Sequence, residues 1–169
     1  MEKLYKTEYL SPVGKIIMSS EGTALNGLWF EGQKYFGGKN DMQKAETKDL
    51  KLFQDIKIWL DKYFQGEAIE IGNLPLKPLG NEFKQSVWKI LCEIPYGETT
   101  TYGEIAEKVA KRKGLERMSA QAVGRAVGHN PISIIIPCHR VVGKNGELTG
   151  YAGGLKIKQY LLQLEKKSV

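Results

Sequence analysis

The stretch Ile71 to Gly80 limits this chain more than any other, because Gly72, Pro75, Pro78 and Gly80 interrupt it and forbid a helix through it. It divides the sequence into two halves of different character. Before it, short apolar stretches alternate with turn residues: Leu4 to Leu10, Ser11-Pro12-Val13-Gly14, Lys15 to Ser19, Glu21-Gly22, then Ala24 to Phe30. That pattern predicts an antiparallel meander. Gly37-Gly38-Lys39-Asn40-Asp41 reads as a loop. From Thr47 onward, Leu50, Phe53, Ile56, Leu60 and Tyr63 or Phe64 recur at helical spacing, with Gly66 as a stop signal. The expected layout is an N-terminal α/β domain over residues 1–72, a linker over 73–81 and a second domain over 82–169.

The second half reads as mostly helical. Phe83, Val87, Ile90, Leu91 and Ile94 mark an amphipathic helix that Pro95-Tyr96-Gly97 ends. Thr100 or Thr101 can cap a helix through Ala110, and Glu104 three residues after Thr101 has the spacing of a capping box. A basic turn, Lys111 to Arg117, separates it from Ser119 to Gly128, a helix of small residues ending before Asn130-Pro131. Helix, turn and second helix make a helix-turn-helix, winged-helix-like arrangement, so the fold class is α/β (α+β). Ala120, Ala122, Gly124 and Ala126 leave one face of the second helix almost without bulk. Such a face suits either a narrow surface such as a DNA minor groove or tight packing against another helix.

The run Ile134-Ile135-Ile136-Pro137-Cys138-His139-Arg140-Val141-Val142 places a thiol, an imidazole and a guanidinium directly after a β-branched apolar stretch. It reads as a buried strand breaking at Pro137, with Cys138 as the candidate nucleophile. From these residues alone, a small buried cysteine followed by a surface His and Arg is equally open. Adjacent residues on an extended chain face opposite ways, so a link from Cys138 to His139 through water is more natural than direct contact. Cys92, on the apolar helix, is expected to be a buried structural thiol.

Composition sets outer bounds. At 169 residues and 41% apolar content the chain can build a substantial core. No segment approaches the roughly 20 apolar residues of a membrane span, and Met1 to Lys6 lacks a signal peptide's apolar centre, so cytoplasmic residence is expected. Two cysteines and two histidines predict free thiols, no metal site and no cofactor. A net charge of +6, with pI near 9.2, is compatible with a polyanionic partner.

Taken together, Asn130-Pro131, Ile134 to Val142 and Thr149-Gly150-Tyr151-Ala152-Gly153-Gly154-Leu155 resemble the C-terminal domain of the O6-alkylguanine-DNA alkyltransferases, also called methylated-DNA-protein-cysteine methyltransferases. The likeness covers about half the chain, from Phe83 to Glu165. It implies a monomeric DNA repair protein that binds duplex DNA in the minor groove and flips the damaged nucleotide. Cys138 would take the alkyl group from O6-alkylguanine, and by extension O4-alkylthymine, in one irreversible transfer. It further implies that His139 deprotonates Cys138 through water, that Glu165 orients His139, and that Asn130 ties the turn before the thiol. Tyr102 would promote rotation of the nucleotide and protonate the leaving guanine. Tyr151, Ala152 and Gly153 would wall the base pocket, the Val141 carbonyl would accept from the guanine amine, and Arg140 would be a structural ion-pair partner. Ser119, Gln121, Ala122, Gly124 and Arg125 would meet DNA along with Tyr102. Gln121 stands where many members have an arginine finger, and Ala152 where some have serine. The alternatives are a protein that recognises alkylated bases without repairing them, and a cysteine hydrolase or redox enzyme built on a Cys138–His139 dyad.

Overall fold

A computed structural model describes residues 3–167; Met1, Glu2, Ser168 and Val169, which the sequence-based domain bounds include, lie outside the described residues. The N-terminal half is a meander of β1 (Tyr5–Ser11), β2 (Gly14–Ser20) and β3 (Leu25–Phe30), joined by β4 (Glu46–Thr47) parallel to β1, in the order β3-β2-β1-β4. The first turn is closed by Ser11, whose Oγ donates to the Gly14 carbonyl (2.6 Å) and accepts from Val13 N (3.1 Å). Gly14 has φ +116°, a conformation L side chains avoid. Helix α1 (Lys51–Phe64) then buries Phe53, Ile56, Trp59, Leu60 and Tyr63, the face its apolar spacing predicts.

Among the described residues, four more helices follow: α2 (Glu82–Leu91), α3 (Tyr102–Lys113), α4 (Ala120–Gly128) and α5 (Leu155–Lys167). Their starts have chemical causes. Asn81, Thr101 and Ser119 each accept from the backbone N–H three residues on, at 2.9, 3.1 and 3.1 Å. Only half of the expected capping box forms, because the Glu104 carboxylate accepts from Thr100 Oγ1 (2.7 Å) rather than reaching back to the cap. Two short parallel strands, β5 (Thr100–Thr101) and β6 (Val141–Val142), join the start of α3 to the end of the thiol-bearing segment.

The outer edge of β3 is where the halves meet. Leu25 N donates to the Pro75 carbonyl and Lys77 N to the Leu25 carbonyl, both at 2.8 Å, so the Pro-rich segment runs along that edge. Further on, Leu28 N donates to the Pro131 carbonyl (2.8 Å) and Ser133 N to the Leu28 carbonyl (2.9 Å). The edge is thus covered rather than left to solvent. One hydrophobic cluster runs from Ile16, Met18 and Leu28 through Phe53, Leu60 and Trp88 to Ile132, Ile135, Val141 and Leu161. The α+β class matches the sequence reading.

The stretch Ile134–Ile136 departs from it. These residues form turns rather than a strand, Ile134 adopts φ +70°, and a single 3-10 turn over Cys138–Arg140 follows. Asn130 explains the difference. Its amide donates to the Ile132 (3.2 Å) and Ile136 (2.8 Å) carbonyls, and its Oδ1 accepts from Ile132 N (3.1 Å). A side chain supplies the bonds that a ladder partner would give a strand, so the isoleucines are buried on all sides as a core loop.

Candidate active site

Cys138 is the first residue of the 3-10 turn, 6% exposed, at the floor of a cavity of about 680 Å³. The cavity walls come from α4 (Ala120, Gln121, Gly124, Arg125), the loop Gly150–Ala152, Tyr102 at the start of α3, and Lys34 and Tyr35 from the N-terminal half. Burial pushes the Cys138 thiol above its usual range, and the Asn130 amide and the Lys158 ammonium oppose that rise. The resting thiol therefore needs a base to become a nucleophile.

That base lies on the other side of the turn. His139 is fully buried, with Nε2 2.5 Å from Glu165 Oε2. Glu165 Oε1 accepts from Arg140 Nε (2.8 Å) and from Gly97 N (3.1 Å). Tyr63 donates to Glu165 Oε2 at 2.6 Å. Although burial opposes ionisation, His139 and Arg140 hold the Glu165 carboxyl at about 2, so it is charged. A carboxylate facing Nε2 selects the tautomer with hydrogen on that nitrogen and leaves the Nδ1 lone pair free. Nδ1 is buried and has no protein partner among the described residues. Burial keeps His139 below its ordinary pKa, so the imidazole is neutral and basic at pH 7. Arg140 also donates to the Ile94 carbonyl (2.7 Å), in keeping with its expected structural role.

The other predicted residues fall in two groups. Tyr102 lies beside the cavity, and Thr149 Oγ1 donates to its hydroxyl oxygen (3.0 Å), which leaves the Tyr102 proton free to be given away. Gly124 faces the same ring: a Cβ there would sit 3.7 Å from Tyr102 Cδ1. Of the four small residues expected on one face of α4, Ala120 and Gly124 open on the cavity, whereas Ala126 is buried with Val123 in the helix packing, because residues spaced by two do not share a helix face. Tyr151 and Ala152 line the cavity, and Gly153 is held against Phe30, where a Cβ would come within 2.7 Å of Cδ2. By contrast, Ser119 caps α4 and Ala122 is half-buried; neither is among the cavity's lining residues.

One expectation needs correction. Cys92 is exposed at the C-terminal cap of α2 rather than buried, because it falls just past the apolar face of that helix. Its thiol is pushed up to about 11 by partial desolvation and Glu93, which makes it a poor nucleophile at pH 7. The Val141 carbonyl, expected to accept from the guanine amine, accepts from Lys158 Nζ at 2.6 Å, which takes one of its two lone pairs.

Lys158 and Tyr63 were missed by the sequence reading. Lys158 is fully buried and also donates to the Thr149 (3.0 Å) and Gly150 (3.4 Å) carbonyls, so one ammonium holds the loop of the cavity wall to β6. Its signal was present: Lys158, Leu161 and Glu165 share the inward face of α5, where a buried Lys and Glu stand out. Tyr63 had no such signal, since a tyrosine on an apolar face reads as core.

A buried thiol with a neutral histidine and an ionised orienting carboxylate behind it, facing a cavity walled by small residues and a tyrosine, defines a protein built around one cysteine nucleophile. Residues 82–167 match the model of the 6-O-methylguanine DNA methyltransferase DNA binding domain, and residues 4–78 that of the 6-O-methylguanine DNA methyltransferase ribonuclease-like domain. The chain is 45% identical over 166 residues to the methylated-DNA--protein-cysteine methyltransferase of Haemophilus influenzae, covering 98% of this chain and 88% of that protein. It is 43% identical over 156 residues to the protein of that name from Mycobacterium tuberculosis, covering 92% and 88%. Among solved structures, the M. tuberculosis O6-methylguanine methyltransferase superposes with a TM-score of 0.83 at 40% identity, covering 98% of this chain and 94% of that one. The M. tuberculosis OGT in complex with DNA gives a TM-score of 0.83 at 39% identity, over the same shares. The chain belongs to the methylated-DNA-protein-cysteine methyltransferase family.

Proposed function

We propose that this protein repairs DNA by moving the alkyl group of O6-alkylguanine, and of O4-alkylthymine, irreversibly onto its own Cys138. The observation that carries the reading is the thiol at the cavity floor, backed by a neutral His139 that an ionised Glu165 holds in place. Water between Nδ1 and Sγ relays the thiol proton to His139. The thiolate attacks the alkyl carbon as its bond to O6 breaks; an S–C bond forms, and the electron pair leaves on guanine. Tyr102, its oxygen already accepting from Thr149, supplies the proton that guanine needs, and regains one from solvent. Each molecule acts once, because the thioether does not return to a thiol.

Reaching the thiol requires the base to leave the stack. In this reading α3 and α4 act as a helix-turn-helix whose small face enters the minor groove. Gln121 fills the gap left by the flipped base, Arg125 and Ser119 meet the backbone, and Ala122 and Gly124 permit close approach. Tyr151, Ala152 and Gly153 wall the base, and the Val141 carbonyl receives its amine on the lone pair Lys158 leaves open. The protein acts as a cytoplasmic monomer. A duplex labelled in the methyl group of one O6-methylguanine tests the proposal. Label should pass to protein up to one equivalent and stop, and Cys138→Ser should take none. Tight binding of the methylated duplex without transfer would instead make the protein a lesion sensor.

A further inference from the structure

Tyr63 lies 102 positions from Glu165 in sequence, on the helix of the N-terminal half, yet its hydroxyl sits inside the charged cluster behind the thiol. Tyr63 Oη is 2.6 Å from Glu165 Oε2, the same oxygen that faces His139 Nε2, and 3.4 Å from that nitrogen. The ring is fully buried, stacked on Trp59 (5.6 Å between centroids, 7° between planes) and set edge-on to Tyr96 and His139. The bland account is a core tyrosine that happened to find an acceptor. The shared oxygen argues for more. A carboxylate with one unshared oxygen stabilises an adjacent imidazolium strongly; each further donor on that oxygen draws charge away and weakens the effect.

We propose that Tyr63 is a positioning residue of the alkyl-transfer site, contributed by the N-terminal half, whose hydroxyl shares Glu165 Oε2 with His139 and so keeps the imidazole neutral and ready to accept the thiol proton. The inference rests on the alkyl-transfer reading above. The groups that face the imidazole are Glu165 and Lys158 from α5, Arg140 from its own turn and Tyr63 from α1, with Tyr96 packed on Tyr63 and Arg140, and Tyr151 set against Tyr63 and Cys138. Burial and the facing carboxylate hold Tyr63 protonated well above pH 10, so it remains a donor through the working range. Arg140 and the Gly97 amide occupy the other Glu165 oxygen, so among the described residues nothing else on Oε2 would replace the tyrosine hydroxyl.

The test is the pH dependence of single-turnover methyl transfer from a duplex bearing O6-methylguanine, for the parent, for Tyr63→Phe, and for the protein with 3-fluorotyrosine at position 63. Loss of the hydroxyl concentrates charge on Oε2 and stabilises the imidazolium. In Tyr63→Phe the acid limb, where His139 becomes protonated, should therefore move up by about one pH unit. Fluorotyrosine, a stronger donor with nearly the same shape, should move the limb down. A limb that stays in place while the rate falls evenly at every pH would make Tyr63 a packing residue and overturn the proposal. If Tyr63→Phe does not fold, an unmoved limb in the fluorotyrosine protein overturns it equally. Should the parent transfer no methyl at any pH, the alkyl-transfer reading fails by itself. The imidazole titration of His139, followed by NMR in the same proteins, then decides the Tyr63 coupling.

Discussion

Acid should weaken this fold by way of Glu165, by an amount that follows from its surroundings. The carboxyl is 1% exposed, bonded to Tyr63, His139, Arg140 and Gly97, and held at about 2 against an ordinary 4.5. The unfolded chain binds that proton at the higher pH, so the stabilisation is fully present above about pH 5 and lost as pH falls through 4.5 toward 2. At about 1.4 kcal/mol per pH unit, the whole effect is about 3 kcal/mol, of which about 1 kcal/mol is gone by pH 3.5. His139 acts with the same sign: its folded pKa lies below 6.5, so the unfolded chain takes up that proton first as pH drops. Urea unfolding of the parent and of Glu165→Gln at pH 7, 5 and 3.5 isolates the carboxyl. At pH 7 the variant should be less stable by about 3–5 kcal/mol, because Arg140 stays buried without its counter-ion. By pH 3.5 the gap should narrow by about 1 kcal/mol. A gap that holds constant from pH 7 to 3.5 would refute the reasoning that Glu165 is ionised in this network.

Further outcomes follow from single contacts. Asn130→Ala removes three buried hydrogen bonds and should cost about 3 kcal/mol, read as a fall of about 10 °C in Tm, along with slower transfer as Cys138 loses its support. Gly153→Ala drives a methyl into Phe30 and should cost about 1–3 kcal/mol by denaturant titration. Gln121→Ala should slow repair of a methylated duplex about tenfold yet leave reaction with the free alkylated base unchanged, since Gln121 acts only where a stack must be filled; parental repair of the duplex would reject that role. Cys92→Ser should leave transfer unchanged within about twofold, as measured by label uptake.

Much of this architecture was readable from pattern because the responsible physics is local. Three strands, the apolar face of α1 and the cap at Thr101 all follow from residues within a few positions of one another. What escaped depends on distant partners. The isoleucines before Cys138 have strand propensity, but the Asn130 side chain takes over their backbone hydrogen bonds and bends them into a loop, a tertiary effect that propensity does not contain. β4 is two residues long and exists only because β1 offers an edge. In the site, Cys138, His139 and Arg140 were visible as a cluster, while Glu165 and Tyr102 stood out only through the family likeness. Lys158 carried a signal in its place on the inward face of α5, though not the three carbonyls the fold brings to it, whereas Tyr63 was hidden because its value lies in a shared carboxylate oxygen.

The most direct test of the whole account is intact-protein and peptide mass spectrometry after incubation with a duplex carrying a single O6-methylguanine. One added methyl group is expected, confined to the peptide containing Cys138 and never exceeding one per protein molecule. A methyl group on Cys92, or a duplex demethylated many times by each protein molecule with Cys138 unchanged, would contradict it.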